Sequence, residues 1–411
     1  MLQWLPMIDQ HTQDIYQQSL TLHRQLQGKL TTTALQKITN KNDLALLYTP
    51  GVAAACRAIV ENPEDSFALS MRGRTVAVIT DGSAVLGLGN IGPAASLPVM
   101  EGKALLLKEF ANVDSVPIAI NTQNTAEIIQ FVKHIAPSFV GINLEDISAP
   151  RCFEIEAALQ DLGITVFHDD QHGTAIVVTA ALHNAAKVVG KQFKDLKVVV
   201  VGAGAAGLSI ANMLLGMELT PGQCQRVPEL DRVKDLILVD SKGIVHQGRS
   251  DLDIYKQCIA AHSNHQQKTG DLAVALQDAD VVIGVSRAGL ITKEMVRTMA
   301  HRAIVFAMAN PEPEIMPEQA RSAGAAVIAT GRSDFDNQIN NVLAFPGIFR
   351  AVVDGRLPRI TTAMKHAAAQ AIAALVPEPT TQQIIPDALD RRVVEVVSKA
   401  VLAADNAKNS S

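Results

Sequence analysis

Apolar and polar positions fall into two alternating regimes along this chain. Short apolar runs recur at Arg74–Thr80, Ser115–Ile120, Phe139–Leu144, Gly163–Phe167, Leu196–Val201, Leu236–Asp240, Ala279–Val285, Ala303–Ala307 and Ala325–Ala329. Val and Ile dominate them, as in strands buried on both faces. Between them lie longer helical patterns, at 98–107, 125–136, 150–162 and 174–189, and an Ala-rich end from about 360 onward. Strand and helix in turn predict parallel sheets covered by helices. The first 30 residues break this pattern. They are polar and Gln-rich, and read as a surface helix or a dimerisation arm.

The 411 residues are enough for two or three domains. A net charge of −5, with no basic patch and no polybasic amphipathic stretch, points to neither nucleic acid nor a membrane as partner. The longest apolar segments, around 174–189 and 362–376, contain His or Lys and read as buried helices. Cys56, Cys152, Cys224 and Cys258 are scattered without metal-like spacing. They suit a reducing cytosol better than a disulfide framework. No cationic region followed by an apolar stretch opens the chain, so a cytoplasmic location is expected.

Chemistry concentrates where strands end. Phe139–Ile147 runs into Glu145 and Asp146, and Gly163–Phe167 runs into Asp169 and Asp170, with one helix between the two strands. In a βαβ unit both acidic pairs lie at one edge of the sheet. Capping the following helices accounts for one carboxylate per site and leaves the others crowded. A divalent cation relieves that repulsion, and an all-oxygen set favours Mg²⁺ or Mn²⁺.

A second signal follows Leu196–Val201. The run Gly202-Ala203-Gly204-Ala205-Ala206-Gly207 opens an apolar helix, which is the dinucleotide fingerprint in its proper strand–turn–helix setting. Gly202 permits the turn, Gly204 lets a pyrophosphate approach, and Gly207 packs helix on strand. Asp240 ends the next strand, where a ribose-binding acid belongs. The stretch Thr220–Arg232, with two prolines, reads as an inserted loop. Asp240 favours NAD, while Ser241 and Lys242 could accept the 2′-phosphate of NADP.

Other positions carry two readings. Tyr48, just before Pro50-Gly51, is either a half-buried tyrosine with a bonded hydroxyl or an acid–base group. Lys103, early in an apolar helix, is either a snorkelling surface lysine or a paired functional one. Gly87, Gly89 and Gly92 match the glycine spacing after a turn, and read as backbone packed against a ligand or a neighbouring segment. Asn310 and Asn341 sit on loops at strand ends and fit turn duty or ligand binding equally.

Taken together, the motifs resemble the malic enzyme family in its short bacterial form, over about residues 40–375. The resemblance rests on Tyr-Thr-Pro-Gly-Val at 48–52, Thr-Asp-Gly-Ser-Ala-Val-Leu-Gly-Leu-Gly-Asn-Ile-Gly at 80–92 and Glu-Gly-Lys at 101–103. It continues with Ile-Asn-Leu-Glu-Asp at 142–146, Phe-His-Asp-Asp-Gln-His-Gly-Thr-Ala at 167–175, the glycine fingerprint, Ala-Asn-Pro-Glu-Pro-Glu at 309–314 and Asn-Asn-Val-Leu-Ala-Phe-Pro-Gly-Ile at 340–348.

The resemblance implies an α/β fold: an N-terminal substrate/metal domain at 1–163, a Rossmann-type doubly wound parallel-sheet domain at 164–350, and C-terminal helices at 351–411 packing back on the core. It implies Glu145, Asp146 and Asp170 as metal ligands, Lys103 as general base with Asp169 beside it, and Tyr48 as general acid. Asn310 and Asn341 would hold substrate carboxylate oxygens, Asn310 also bordering the cofactor. His168 and His172 would then be structural. The implied activity is metal-dependent oxidative decarboxylation of malate to pyruvate with NAD or NADP, in a homodimer. Oxaloacetate decarboxylation and malolactic conversion are the alternatives within the family. Lys103 is expected to have its pKa lowered by burial near the cation. One departure stands out: larger members carry an arginine for the substrate carboxylate where this chain has Ala84.

Overall fold

The computed structural model describes residues 10–220 and 223–409. Two parallel sheets organise it. The first has the order β2-β1-β3-β4, from β1 (Thr75–Thr80), β2 (Asp114–Ala119), β3 (Gly141–Leu144) and β4 (Thr165–His168). The second has the order β12-β11-β10-β5-β8-β9. Its strands are β5 (Lys197–Val201), β8 (Asp235–Asp240), β9 (Gly243–Ile244), β10 (Val281–Gly284), β11 (Ile304–Ala307) and β12 (Val327–Thr330). All its pairings are parallel except the short edge strand β9 on β8. A separate hairpin joins β6 (Met217–Thr220) to β7 (Gln223–Arg226), where a plain loop was expected. Residues 221–222 of that stretch lie outside the described residues.

The apolar runs form strands because both faces are covered. Every residue of β1, β3 and β4 is buried, as are all but the first of β5. Each buried Val or Ile contributes about 1.5–3 kcal/mol relative to exposure. The expected domain break at 163/164 falls before β4, but β4 pairs with β3 and completes the first sheet. The first sheet therefore extends past that boundary to His168. The Asp169–Val188 helix begins five residues earlier than its apolar pattern predicts, because two aspartates in the first turn favour its N-terminus.

The chain then returns. The Phe345–Gly355 helix packs on the Pro93–Ala111 helix of the first sheet and on the terminal Arg392–Asn409 helix. Gly347 permits the second contact, since a methyl there would sit 2.6 Å from Val397 Cβ. The Thr362–Ala374 helix covers the Asp169–Val188 helix.

The N-terminal part stands apart from this core. No residue from 13 to 74 is buried. Lys41–Glu61 is long and apolar enough to span a membrane by composition, with a mean hydropathy of 1.3 over its best window. The turn at Tyr48–Gly51 breaks it into two helices, a break that lipid-exposed backbone does not tolerate.

The expectation of four unpaired cysteines is not met. Cys224 on β7 is disulfide-bonded to Cys258, 34 residues on, with Cα atoms 6.0 Å apart. Cys56 is exposed and free, and Cys152 is buried and free. Sequence spacing gave no sign of the pair, because the inserted hairpin is what brings Cys224 to the Ile254–His262 helix.

Candidate active site

Parallel register puts the two acidic pairs side by side. Leu144 is paired with His168, so Glu145 and Asp169 leave β3 and β4 at the same level. Asp146 follows with φ of 55°, an uncommon conformation for a non-glycine residue. Its N–H donates to Asp170 Oδ2 at 2.7 Å. Glu145, Asp146 and Asp170 thereby offer carboxylate oxygens that all lie within 4.8 Å of one another.

Lys103 reaches this cluster from the Pro93–Ala111 helix. Its Nζ donates to Asp169 Oδ2 and pairs with Glu145 Oε1 at 3.1 Å, while its side chain is 14% exposed. The ammonium lies 4.4 Å from the centre of the Phe345 ring. The surface-lysine reading is thus excluded. Its pKa is raised in the cation-free cluster. Burial does push it down, but Asp169, Glu145 and Asp170 outweigh burial and raise it. Glu145 is pushed well up, by burial first and then by its neighbouring carboxylates. A crowd of buried carboxylates around one ammonium fits a divalent cation, because one monovalent partner cannot balance them.

Asn341 closes the cluster from the turn after β12. Its Nδ2 donates to Asp169 Oδ2 at 3.1 Å, and its Oδ1 accepts from Thr174 Oγ1 at 3.1 Å. Asn337 and Asn340, from the same loop, serve the backbone instead. Asn337 donates to the Ile328 and Thr381 carbonyls, and Asn340 accepts from Val342 N–H. Gly173 is required here, since a methyl would collide with Asp169 Oδ1.

Two expected residues are not brought into the cluster. Tyr48 is 65% exposed on the N-terminal segment, and its hydroxyl makes no hydrogen bond to the carboxylates. Asn310 is exposed beyond β11, and its side chain makes no bond to them either. Its backbone does have a partner: Gly87 packs so close to the Asn310 carbonyl that any side chain there would clash. Of the second glycine triplet, Gly87 therefore serves contact between segments, while Gly89 and Gly92 face open space at positive φ.

Histidines flanking the acids have separate tasks. His168 is buried, with Nδ1 3.8 Å from Asp170. His172 bonds to Glu156 at 2.9 Å and to Lys365 at 3.0 Å, tying three helices together. Burial opposes ionisation of Glu156, but His172 and Lys365 outweigh it and hold its pKa down to about 2.

At the second sheet the fingerprint glycines divide their work as their spacing implies. A methyl on Gly202 would lie 2.6 Å from Val285 O, and one on Gly207 would strike Gly202 O. Gly204 faces open space, as approach of a pyrophosphate requires. Ala203, Ala205 and Ala206 complete the turn into the Ala205–Leu214 helix. Asp240 ends β8, but its carboxylate is already engaged. Arg249 bonds it at 2.8 and 3.1 Å, and Lys256 at 2.9 Å. Burial works against the Asp240 carboxylate, and these cations more than compensate, lowering its pKa.

Three residues were missed from the sequence. Arg249 and Lys256 lie far along the chain from any motif. Glu314, fully buried, ties two strand-end loops by accepting from Ser286 N–H at 2.7 Å and Ala309 N–H at 3.0 Å. The repeated acid in Pro-Glu-Pro-Glu was its only signal. An arginine does reach the turn that carries Ala84: Arg151 pairs with Asp81 at 2.9 Å and donates to Ser83 at 3.0 Å.

Fold and site together define a two-sheet protein with a nucleotide-binding turn on one sheet and a carboxylate–lysine cluster on the other. Comparison with known proteins narrows this. The malic enzyme N-terminal domain matches residues 27–129, and the malic enzyme NAD-binding domain matches residues 171–404. The bifunctional malic/malolactic enzyme of Bacillus subtilis is 50% identical over 392 residues, covering 94% of this chain and 92% of that protein. The NAD-dependent malic enzyme of Geobacillus stearothermophilus is 50% identical over 380 residues, covering 92% of this chain and 76% of that protein. The crystal structure of the NAD-dependent malic enzyme of Thermotoga maritima superposes with a TM-score of 0.87 at 47% identity, covering 93% of this chain and 98% of that one. The chain belongs to the malic enzyme family.

Proposed function

We propose that the protein oxidises and decarboxylates L-malate to pyruvate and CO₂, reducing NAD or NADP, with Mg²⁺ or Mn²⁺ bound. The observation that carries this reading is Lys103 held against Asp169 and Glu145 beside the three-carboxylate set. Glu145, Asp146 and Asp170 would hold the cation. When bound, it supplies Lewis-acid polarisation of the substrate's C2 oxygen, and the nicotinamide supplies the hydride acceptor.

The chain's own groups do the rest. Lys103 takes the proton of the C2 hydroxyl. Asp169 orients the lysine and Asn341 fixes that aspartate. A cation held by Glu145, Asp146 and Asp170 would remove the upward push of Glu145 and Asp170 on Lys103, leaving burial against Asp169 alone and moving the group toward the neutral amine a base needs. Tyr48 donates the proton to C3 after CO₂ leaves, once its segment is carried over a site. Asn310 and Asn341 hold the substrate carboxylates in place of the arginine that Ala84 replaces.

The turn at Gly202–Gly207 receives the pyrophosphate. Asp240 takes the ribose hydroxyls, which favours NAD, while Arg249 and Lys256 offer countercharge to a 2′-phosphate. We therefore infer that both coenzymes are accepted. The exposed apolar N-terminal segment supports a homodimer formed through it. Absorbance growth at 340 nm with malate, Mn²⁺ and each coenzyme tests the reading. Lactate without net coenzyme reduction would establish instead the malolactic outcome, which the name of the Bacillus subtilis relative favours as the second reading.

A further inference from the structure

The cysteine pair lies at a sensitive place. The loop it closes, from Cys224 to Cys258, contains β8, β9, Asp240, Arg249 and Lys256. The adenine-ribose end of the nucleotide site thus lies inside one covalent ring. Cys258 and Lys256 share the Ile254–His262 helix, and Lys256 is one of the two cations on Asp240. The other end of the cross-link is the β6–β7 hairpin, which belongs to neither large sheet. A two-stranded hairpin is marginal by itself, so its seating depends on what pins it. Its β6 strand packs on the Ala205–Leu214 helix, while the disulfide and Arg226, which donates to the His262 carbonyl at 3.0 Å, pin β7 to the Ile254–His262 helix.

The surroundings suit exchange rather than a permanent strut. Cys258 is buried, but Cys224 is half-buried and open to attack. His262 lies one turn after Cys258 on the same helix. Its Nδ1 is 3.1 Å from the Cys258 carbonyl and 3.6 Å from Cys224 Sγ. An N–H there donates to the carbonyl and, on reduction, to a Cys224 thiolate, which it stabilises over the thiol. The thiolate is the species that exchanges.

We propose that Cys224–Cys258 is a reversible thiol–disulfide modification site that sets coenzyme affinity through the Ile254–His262 helix. The coupling rests on the coenzyme site proposed at Asp240; the exchange itself does not. Oxidation uses a low-molecular-weight disulfide. The Cys224 thiolate attacks one of its sulfurs and releases one thiolate. The Cys258 thiolate then attacks Cys224 Sγ and releases the second. The two protons lost by the cysteines pass through solvent to the two departing thiolates, so one disulfide forms as one is reduced.

The test equilibrates the full-length protein in glutathione and glutathione disulfide at graded ratios. Each sample is quenched with N-ethylmaleimide under denaturing conditions, mapped by mass, and titrated in parallel with NADH and NADPH by fluorescence. Cys224 and Cys258 should gain and lose label together across the series, while Cys56 and Cys152 stay labelled. The reduced protein should bind coenzyme roughly fivefold or more weakly than the oxidised one. Cys224→Ser and Cys258→Ser should bind like the reduced protein and ignore glutathione. Persistent labelling of both cysteines at every ratio overturns the proposal, as does equal affinity in the two states. Zinc retained by reduced Cys224, Cys258 and His262 without exchange overturns it in favour of a metal site. If neither redox state binds coenzyme, the reading at Asp240 fails, and the labelling still decides the exchange.

Discussion

Lys103 and Tyr48 are assigned the two proton transfers of one reaction, yet their settings are opposite. Lys103 is 14% exposed, held between Asp169 and Glu145 and under the Phe345 ring. Tyr48 is 65% exposed, on a segment with no buried residue. The first group is positioned by the chain's own core. The second rides on apolar surface that the chain does not cover, including Leu35, Ile38, Leu46 and Val60. On the proposed roles, half of the acid–base machinery would be preorganised by folding, while the other half would depend on what packs against residues 13–74.

The largest effect should come from the buried side. Lys103→Ala should cut malate oxidation and oxaloacetate decarboxylation together, by roughly 10²- to 10⁴-fold. Asp170→Ala should abolish Mn²⁺-dependent turnover while coenzyme binding, followed by NADH fluorescence, persists. Full activity of either variant would remove its residue from the mechanism. Tyr48→Phe should act later, slowing protonation at C3 by up to about 10²-fold. Proton exchange into the methyl group of pyruvate reads that step, and an unchanged rate would dismiss Tyr48.

Glu156→Gln probes the packing under the preorganised half. The native Glu156 pKa of about 2 lies below its ordinary value, so its ionised form stabilises the fold above that value. This contribution is lost as pH falls toward 2. The variant should therefore melt lower at pH 7, by roughly 1 °C per kcal/mol for a chain of this size. The gap should narrow on acidification, and a constant gap across pH would contradict the charge pairing. The smallest effect on the isolated chain is expected on the exposed side. Leu46→Glu should leave the melting of the core unchanged but shift the mass in light scattering from dimer toward the 43.8 kDa monomer. A wild-type protein already at monomer mass would contradict the dimer.

Legibility in the sequence followed the range of the interactions. The strands, the fingerprint turn and the acid pairs at strand ends were readable because apolar period and local spacing determine them. Parallel pairing then brought Glu145, Asp146, Asp169 and Asp170 together without further information. Lys103 and Asn341 were legible only through family motifs, since nothing local says which of many helical lysines or loop amides points inward. Arg249 and Lys256 on Asp240, Glu314 between its two loops, and the Cys224–Cys258 bond all join residues across inserted or irregular chain, where no period operates. The start of the Asp169–Val188 helix was not legible either. The apolar helical pattern starts at 174, yet Gly173 lies inside the helix, at a position where a side chain would strike Asp169 Oδ1.

The Asp169–Val188 helix begins at the edge of one sheet and runs, buried, against the Ala205–Leu214 helix of the other. It is therefore a lever whose short arm is the catalytic edge. The Asp146 N–H to Asp170 bond ties its first turn to the end of β3. On the proposed ligand set, a cation there would bridge the end of one sheet to the first turn of this helix, so the same three carboxylates would join the two halves of the fold.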